Sequence, residues 1–461
     1  MKIALSGRRF RPPFVGGVDV YTDRLRLAFQ RLGHDIIVLA YESTAGNNNG
    51  TLKVSPDEYD GTQVWRIRFA IAGRPQEAFD YGYDQEMGQV IKSVLKDQKP
   101  DLFIITNFYL STLASVQVAK ELGIPIVHIA TDFLPICRRA TFIRWDGNPC
   151  NVGESVKSCT SCFVSHRSSG RLASSLLQKL SEETLVQLAK NQNNYKFPHP
   201  LSILKPYWKQ ISIMESRLSI LHPLRQTIDL VLAPTQYTFQ RFLENGFRPD
   251  QVHLLPFGVE MNHPLANIHH NFAHHMRFLF IGRLHPYKGA HLLVEAFNNL
   301  ETPKGATLTI YGSSAGYEAY FSHLKALMAT NERIQFGGQI APHELDHAFA
   351  DADFFILPST WHENSPLILL DALQSRTPIV ASKIAGVTDL IKDGVNGLLF
   401  PMGDKHALQQ VLQKIIDQPA LVEALRTGIH LLDIDEYAKM LIDLCADRIP
   451  SIEALSPAAY E

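Results

Sequence analysis

Two patterns alternate along this chain: short apolar runs, and longer segments in which apolar residues recur every three or four positions. Residues 3–5 form an apolar run, and the segment 18–32 carries its apolar side chains at Val20, Leu25, Leu27, Phe29 and Leu32, a helical spacing. Gly33-His34 stops that helix, and residues 36–40 form the next apolar run. The same order returns with runs at 101–105 and 124–129 around a helical segment at 113–122. Strands that alternate with helices predict a mostly parallel sheet covered on both faces.

Between about residues 165 and 225 the rhythm changes. Segments 170–188 and 204–221 have helical periods, separated by the polar run Asn191-Gln192-Asn193-Asn194, and read as helices inserted into the first half. Runs at 230–233 and 252–256 resume the sheet. Residues 261–275 are rich in Asn and His without sustained period and mark a boundary. Their five histidines read as a solvated linker rather than a metal site, because no fixed element orients the rings. Beyond it, runs at 277–280, 306–311, 334–336, 354–357 and 378–381 predict a second parallel sheet, with a crevice between the two.

The chemistry falls where such sheets bind ligands, beyond the carboxyl ends of strands. Gly282 and Arg283 follow one run, and Lys288 and Gly289 come just before a helical segment. Two cations beside the free N–H groups of a helix start suit a diphosphate, with Arg283 as a planar fork and Lys288 as a point charge. A solvated charged loop is the alternative. Gly16-Gly17, between the first run and the first helix, allows close approach to the backbone, but does not match G-x-G-x-x-G. After the run at 354–357, Glu363 precedes a helix start marked by Asn364, Ser365, Pro366 and Leu367, and Asp371 follows Glu363 by eight residues. Two carboxylates so spaced can address different hydroxyls of one ligand; a helix-start acid and a surface acid are the plainer reading. Asp351-Ala352-Asp353 lies at a strand entry, the wrong end for a metal–nucleotide site.

Length and composition narrow the picture. At 461 residues, two domains are expected. A 45% apolar content is that of a globular protein, and a net charge of -2 gives no general pull toward nucleic acid. No apolar run reaches membrane-spanning length, and Arg8-Arg9 interrupts the start too early for a secretory signal, so a cytoplasmic location, in the cytosol or on the cytoplasmic face of a membrane, is expected. Cys137, Cys150, Cys159 and Cys162 cluster in sequence, and the C-x-x-C pair predicts a structural thiolate clip for zinc or iron; a redox pair or four unrelated thiols are the alternatives.

Taken together, these segments resemble the retaining glycosyltransferases of family 4, on Gly16-Gly17 with Gly33-His34, Leu255-Pro256-Phe257-Gly258-Val259, the 282–289 loop, the 363–371 block, and Asp389 with Asp393-Gly394-Val395-Asn396-Gly397. The cysteine region resembles an insertion found in a subset of that family. The resemblance implies an α/β GT-B architecture of two Rossmann-like domains facing a cleft. On this reading residues 1–265 form an acceptor-side domain, 266–430 a donor domain, and 431–461 a helical extension packing back on the first.

The implied activity is hexosyl transfer from a nucleotide-sugar with retention, without a catalytic metal, in polysaccharide biosynthesis. Arg283 and Lys288 would stabilise the leaving diphosphate and Glu363 would contact the donor sugar. Asp371 would hold the ribose, with Gly16, Gly17, Thr131, Asp132, Gly282 and residues 364–367 completing the donor site. Two departures stand out: Asp371 replaces a glutamate, and Thr131 replaces a histidine that contacts the donor sugar. His128 does not take that role, because strand alternation directs it to the opposite face from Thr131. A nucleotide-sugar-binding protein without transfer activity, or a glycan phosphorylase-like enzyme, are the alternatives. The acceptor is expected to be a saccharide or lipid-linked saccharide. The helices at 170–221 offer Leu176, Leu177, Leu180, Ile203, Leu204, Tyr207, Trp208 and Ile211 to a core, a saccharide groove or a membrane, and Lys179, Lys205, Lys209 and Arg217 to anionic head groups.

Overall fold

The computed structural model describes residues 1–10, 16–44, 51–70, 83–108, 112–145, 147–151, 153–164, 170–190, 201–261, 275–301 and 305–453. Most of the linker expected at 261–275 lies outside these residues.

The first sheet contains β1 (Lys2–Arg8), β2 (Asp35–Thr44), β3 (Lys53–Tyr59), β4 (Thr62–Ala70), β5 (Leu102–Ile105), β6 (Ile126–Ile129), β7 (Leu230–Ala233) and β8 (Val252–Leu254). Their order is β3-β4-β2-β1-β5-β6-β7-β8, parallel except for the antiparallel pair β3–β4. The second sheet contains β9 (Met276–Ile281), β10 (Ala306–Tyr311), β11 (Ile334–Gly338), β12 (Phe354–Leu357), β13 (Ile379–Lys383) and β14 (Gly397–Pro401), in the order β11-β10-β9-β12-β13-β14, all parallel. Helices flank both sheets. This is the GT-B architecture of two Rossmann-like units.

Strand alternation divides each core into two layers. Ile3 and Leu5 pack on one face of the first sheet and Ala4 on the other; Phe278 and Phe280 oppose Leu279 and Ile281 in the second. Burial on both faces explains why these strands read as unbroken apolar runs.

The inserted segment 170–188 is two helices, Gly170–Lys179 and Glu182–Lys190, and its partner is Trp208–Arg225. They enclose a core of their own with Val156, Leu177, Leu185, Leu204, Ile211 and Met214, against which Trp208 packs. Leu204 and Leu177 are therefore spent on packing. Arg217 is not available to a membrane surface either, because it is fully buried in an ion pair with Glu154. Among the described residues no helix is long and apolar enough to cross a membrane.

The last long helix, Ile434–Arg448, returns to the first sheet. Ile434, Tyr437 and Leu441 share a core with Tyr21 and Leu25 of helix Gly17–Arg31. Gly258 permits this approach: a Cβ there would meet the Tyr437 Cβ at 2.7 Å.

Candidate active site

A cavity of about 790 Å³ opens between the two sheets. Gly16, Gly17, Thr131 and Asp132 line it from the first, and Lys288, Glu363, Asn364, Ser365, Pro366, Leu367 and Asp371 from the second. The structure thus gathers most of the candidates. Gly282 and Arg283 are not among the lining residues; the Gly282 carbonyl turns toward Gly312 and Arg283 is exposed.

The loop after β9 is shaped by local chemistry. The His285 imidazole accepts from the Tyr287 N–H at 3.0 Å, starting a 3-10 turn Pro286–Lys288 that ends at Gly289 with φ 72°. A Cβ at Gly289 would lie 1.9 Å from the Pro358 carbonyl oxygen, so only glycine lets this loop close on the loop after β12. The closure brings Lys288 Nζ to 2.6 Å from Glu363 Oε1, which also accepts from Ser359 Oγ at 2.7 Å and Trp361 Nε1 at 2.9 Å. The Lys288 ammonium also stands 5.2 Å from the centroid of the Trp361 ring. Glu363 is thus fixed by three donors on one oxygen.

Gly386 supports the same loop from behind, with φ 80° and a Cβ position 2.0 Å from the Glu363 carbonyl oxygen. Gly386→Ala is expected to displace this loop and to cost more than roughly 1 kcal/mol of stability, because both φ and space are wrong for alanine. Thermal denaturation of the variant checks this; an unchanged midpoint would count against the packing described.

Two helix starts meet at the cavity. Helix Gly17–Arg31 begins at Gly16, φ 120°, without a side-chain cap, and helix Leu367–Gln374 begins at Pro366, also uncapped. A Cβ on Gly17 would approach Leu367 Cδ1 to 2.8 Å and Cβ to 3.0 Å, so the two starts converge closely here. Uncapped helix N–H groups and Lys288 offer donors to an anion, while Lys288 is paired with Glu363 and Arg24 with Asp371.

Contacts between the two halves account for several candidates. Asn364 does not open a helix start as its sequence position implied. Its amide donates to the Ala130 carbonyl at 2.6 Å and accepts from the Thr238 hydroxyl, while the Asn364 carbonyl accepts from Thr235 Oγ1 at 3.0 Å. Asp389 accepts from the Gln236 N–H at 2.7 Å. Asp371 pairs with Arg24 at 3.0 Å. Thr131 donates its hydroxyl to the Thr106 carbonyl. Asp132 accepts from the N–H groups of Leu134 (2.7 Å) and Phe108 (3.3 Å), and burial pushes its pKa up to about 6. His128 is fully buried between Phe108 and Phe242 with Nδ1 3.0 Å from the Ile105 carbonyl, and burial lowers its pKa to about 4. At the opposite end of the second sheet, Asp353 accepts from Arg277 at 2.7 and 2.9 Å and joins β12 to β9.

Among the described residues no three His, Cys, Asp or Glu side chains are placed to hold a metal ion. Cys137 and Cys150 pack under the first sheet, whereas Cys159 packs into the inserted helical core. None of the four is in a disulfide, and burial pushes the thiols of Cys137, Cys159 and Cys162 up.

Arg24, Trp361 and His362 also line the cavity and were not singled out from the sequence. Arg24 carries a retrievable signal: it lies on the same helical face as Gly17 and Val20, both cavity residues.

Two family models match the chain: "Glycosyl transferase 4-like domain" over residues 16–150 and "Glycosyl transferases group 1" over residues 269–429. Among curated relatives, D-inositol 3-phosphate glycosyltransferase of Corynebacterium glutamicum is 28% identical over 144 residues, 30% of this chain and 34% of the relative. Lipopolysaccharide 1,2-N-acetylglucosaminetransferase of Salmonella typhimurium is 25% identical over 206 residues, 41% and 53% of the two chains. The matched stretches thus span about a third to a half of these relatives' lengths. In three dimensions the chain is similar to Anabaena HepE in complex with UDP and glucose (TM-score 0.62, 15% identity, 97% of this chain and 100% of that one). It is also similar to sucrose-phosphate synthase of Thermosynechococcus elongatus (TM-score 0.65, 18% identity, 99% and 100%).

Proposed function

We propose that this chain, which has the GT-B fold of the family 4 glycosyltransferases, transfers a hexosyl unit from a nucleotide-sugar to a saccharide or lipid-linked saccharide with retention of configuration. The observation that carries the reading is the convergence of Lys288, two uncapped helix starts and the fixed carboxylate of Glu363 on one cavity between the sheets. The relative named for N-acetylglucosamine transfer to lipopolysaccharide supports a saccharide acceptor.

In this reading the first half, residues 1–265, presents the acceptor, residues 266–430 bind the donor, and residues 431–461 tie the halves together. An ammonium has three donors, so Lys288 can hold Glu363 and still reach a β-phosphate oxygen. Negative charge grows on that oxygen as the glycosidic bond breaks, and Lys288 with the helix N–H groups meets it without reorganisation. Glu363 accepts from a sugar hydroxyl through Oε2, since its three donors all bond Oε1. Asp371, steered by Arg24, accepts from the ribose. The acceptor hydroxyl attacks from the face the leaving group vacates and passes its proton to the departing phosphate.

The test is release of nucleoside diphosphate from a panel of nucleotide-sugars by the purified protein, with simple saccharides as acceptors. Turnover with one of them is expected; neither release nor binding with any would end the reading. A second reading, a donor-binding protein that transfers nothing, draws on the Thr131 hydroxyl being committed to the Thr106 carbonyl. It predicts saturable binding with no release.

A further inference from the structure

Among the described residues, the first half of the molecule lines the cavity with no imidazole. Thr131 donates its hydroxyl to a backbone carbonyl, and His128 is buried behind the sheet. The second half presents one, His362, beside Glu363.

The ring of His362 is held on two sides. Its Nδ1 accepts the Ala385 N–H at 3.1 Å, and its face rests on Tyr237 with centroids 5.3 Å apart. A neutral imidazole that accepts at Nδ1 carries its proton on Nε2, so the tautomer is set by the backbone. Burial, with Arg241 nearby, lowers its pKa and favours this neutral form. The Nε2–H finds no partner among the described residues. His362 and Glu363, adjacent residues of the cavity lining, therefore carry a preset N–H donor and an Oε2 acceptor. A hydroxyl both donates and accepts, and an adjacent donor and acceptor are suited to a pair of sugar hydroxyls.

We propose that His362 is a substrate-binding residue whose Nε2–H donates to a hydroxyl of the transferred sugar, a contact that Thr131 does not make. This inference rests on the transferase reading above. It makes selection of the donor sugar depend on the loop after β12 in the second half, rather than on the strand end at Thr131 in the first.

Two substitutions separate recognition from support. His362→Asn keeps an acceptor near the Nδ1 position for the Ala385 N–H but removes the Nε2 donor. His362→Gln places an amide N–H near Nε2. Kinetics would use the nucleotide-sugar the wild type turns over fastest, and calorimetry the nucleoside diphosphate it releases. For His362→Asn, kcat/KM should fall about tenfold, the worth of one hydrogen bond, while nucleoside diphosphate affinity stays within about twofold. His362→Gln should recover most of the loss. Wild-type activity in His362→Asn would overturn the proposal, as would equal losses of sugar turnover and nucleoside diphosphate affinity, which would mean that the ring only braces the loop. If the wild type itself releases nucleotide from no sugar donor, the transferase reading falls and this inference with it; an active wild type matched by His362→Asn overturns this inference alone.

Discussion

Lys288→Ala is expected to lower turnover of the preferred nucleotide-sugar by about 10²–10³-fold, the scale seen when one preorganised donor to a developing oxyanion is removed. The loss should appear mainly in kcat, because the ammonium meets more charge in the transition state than in the bound donor. Glu363 would keep its bonds from Ser359 and Trp361, at 2.7 and 2.9 Å, so the loop should persist, with some loss of melting temperature from the unpaired buried carboxylate. Glu363→Gln, by contrast, should damage turnover while leaving affinity for the bare nucleoside diphosphate near that of the wild type. Arg283→Ala provides an internal control. Its guanidinium is exposed and outside the cavity wall, so its loss should cost less than that of Lys288. Steady-state rates with calorimetry on the three variants check the ranking. Equal effects at 283 and 288, or none at 288, would remove Lys288 from the diphosphate site.

The difference between those two cations shows how far one chain can be read without its fold. Both follow β9 in a short loop, and sequence makes them equivalent; separating them takes the left-handed turn at Gly289, which folds Lys288 onto the loop of Glu363 and leaves Arg283 outside. Lys288 and Glu363 were legible because each lies just past a strand that is apolar on both faces. Arg24, Asn364 and His362 were harder, since their roles depend on how the two sheets meet. Asn364 looked like a helix-start residue and is instead bonded to Ala130 and Thr238 of the other half. The same contrast holds for the fold. β5, β6, β7 and β12 are buried along their whole length and stand out as apolar runs. β3 was missed because it is an edge strand with a proline and mostly exposed side chains, paired antiparallel to β4. For the cysteines, spacing alone does not reveal that Cys159 packs against a different core from Cys137 and Cys150.

The largest stability effect is expected at Glu154, which no sequence pattern marks. Its side chain is 1% exposed between Arg217 and Arg225, at 0% and 2%. Glu154 Oε1 accepts from Arg217 Nε at 2.9 Å, and Oε2 accepts from Arg225 Nη2. The guanidiniums continue outward: Arg217 donates to the Leu134 carbonyl at 2.6 Å, and Arg225 to those of Pro135 at 2.7 Å and Asn245 at 2.8 Å. One carboxylate therefore joins the inserted helices to the loop that carries Thr131 and Asp132. Glu154→Ala would remove the carboxylate that pairs both buried guanidiniums, at a cost of about 3–5 kcal/mol. The pH dependence follows from the same contacts. Burial alone would raise the Glu154 pKa, but the two guanidiniums outweigh it and hold the carboxyl below its ordinary value. A depressed folded-state pKa gives stability that is fully present above the unfolded value, about 4.3, and lost as pH falls through the folded one. Glu154→Gln, which mimics the protonated acid in shape, should therefore be markedly less stable than the wild type at pH 7, and the gap should narrow as the wild type is acidified below about pH 4. Urea midpoints for both proteins across that range provide the measurement. A gap that is absent at pH 7, or that stays constant on acidification, would show that the charge of Glu154 does not hold this junction together.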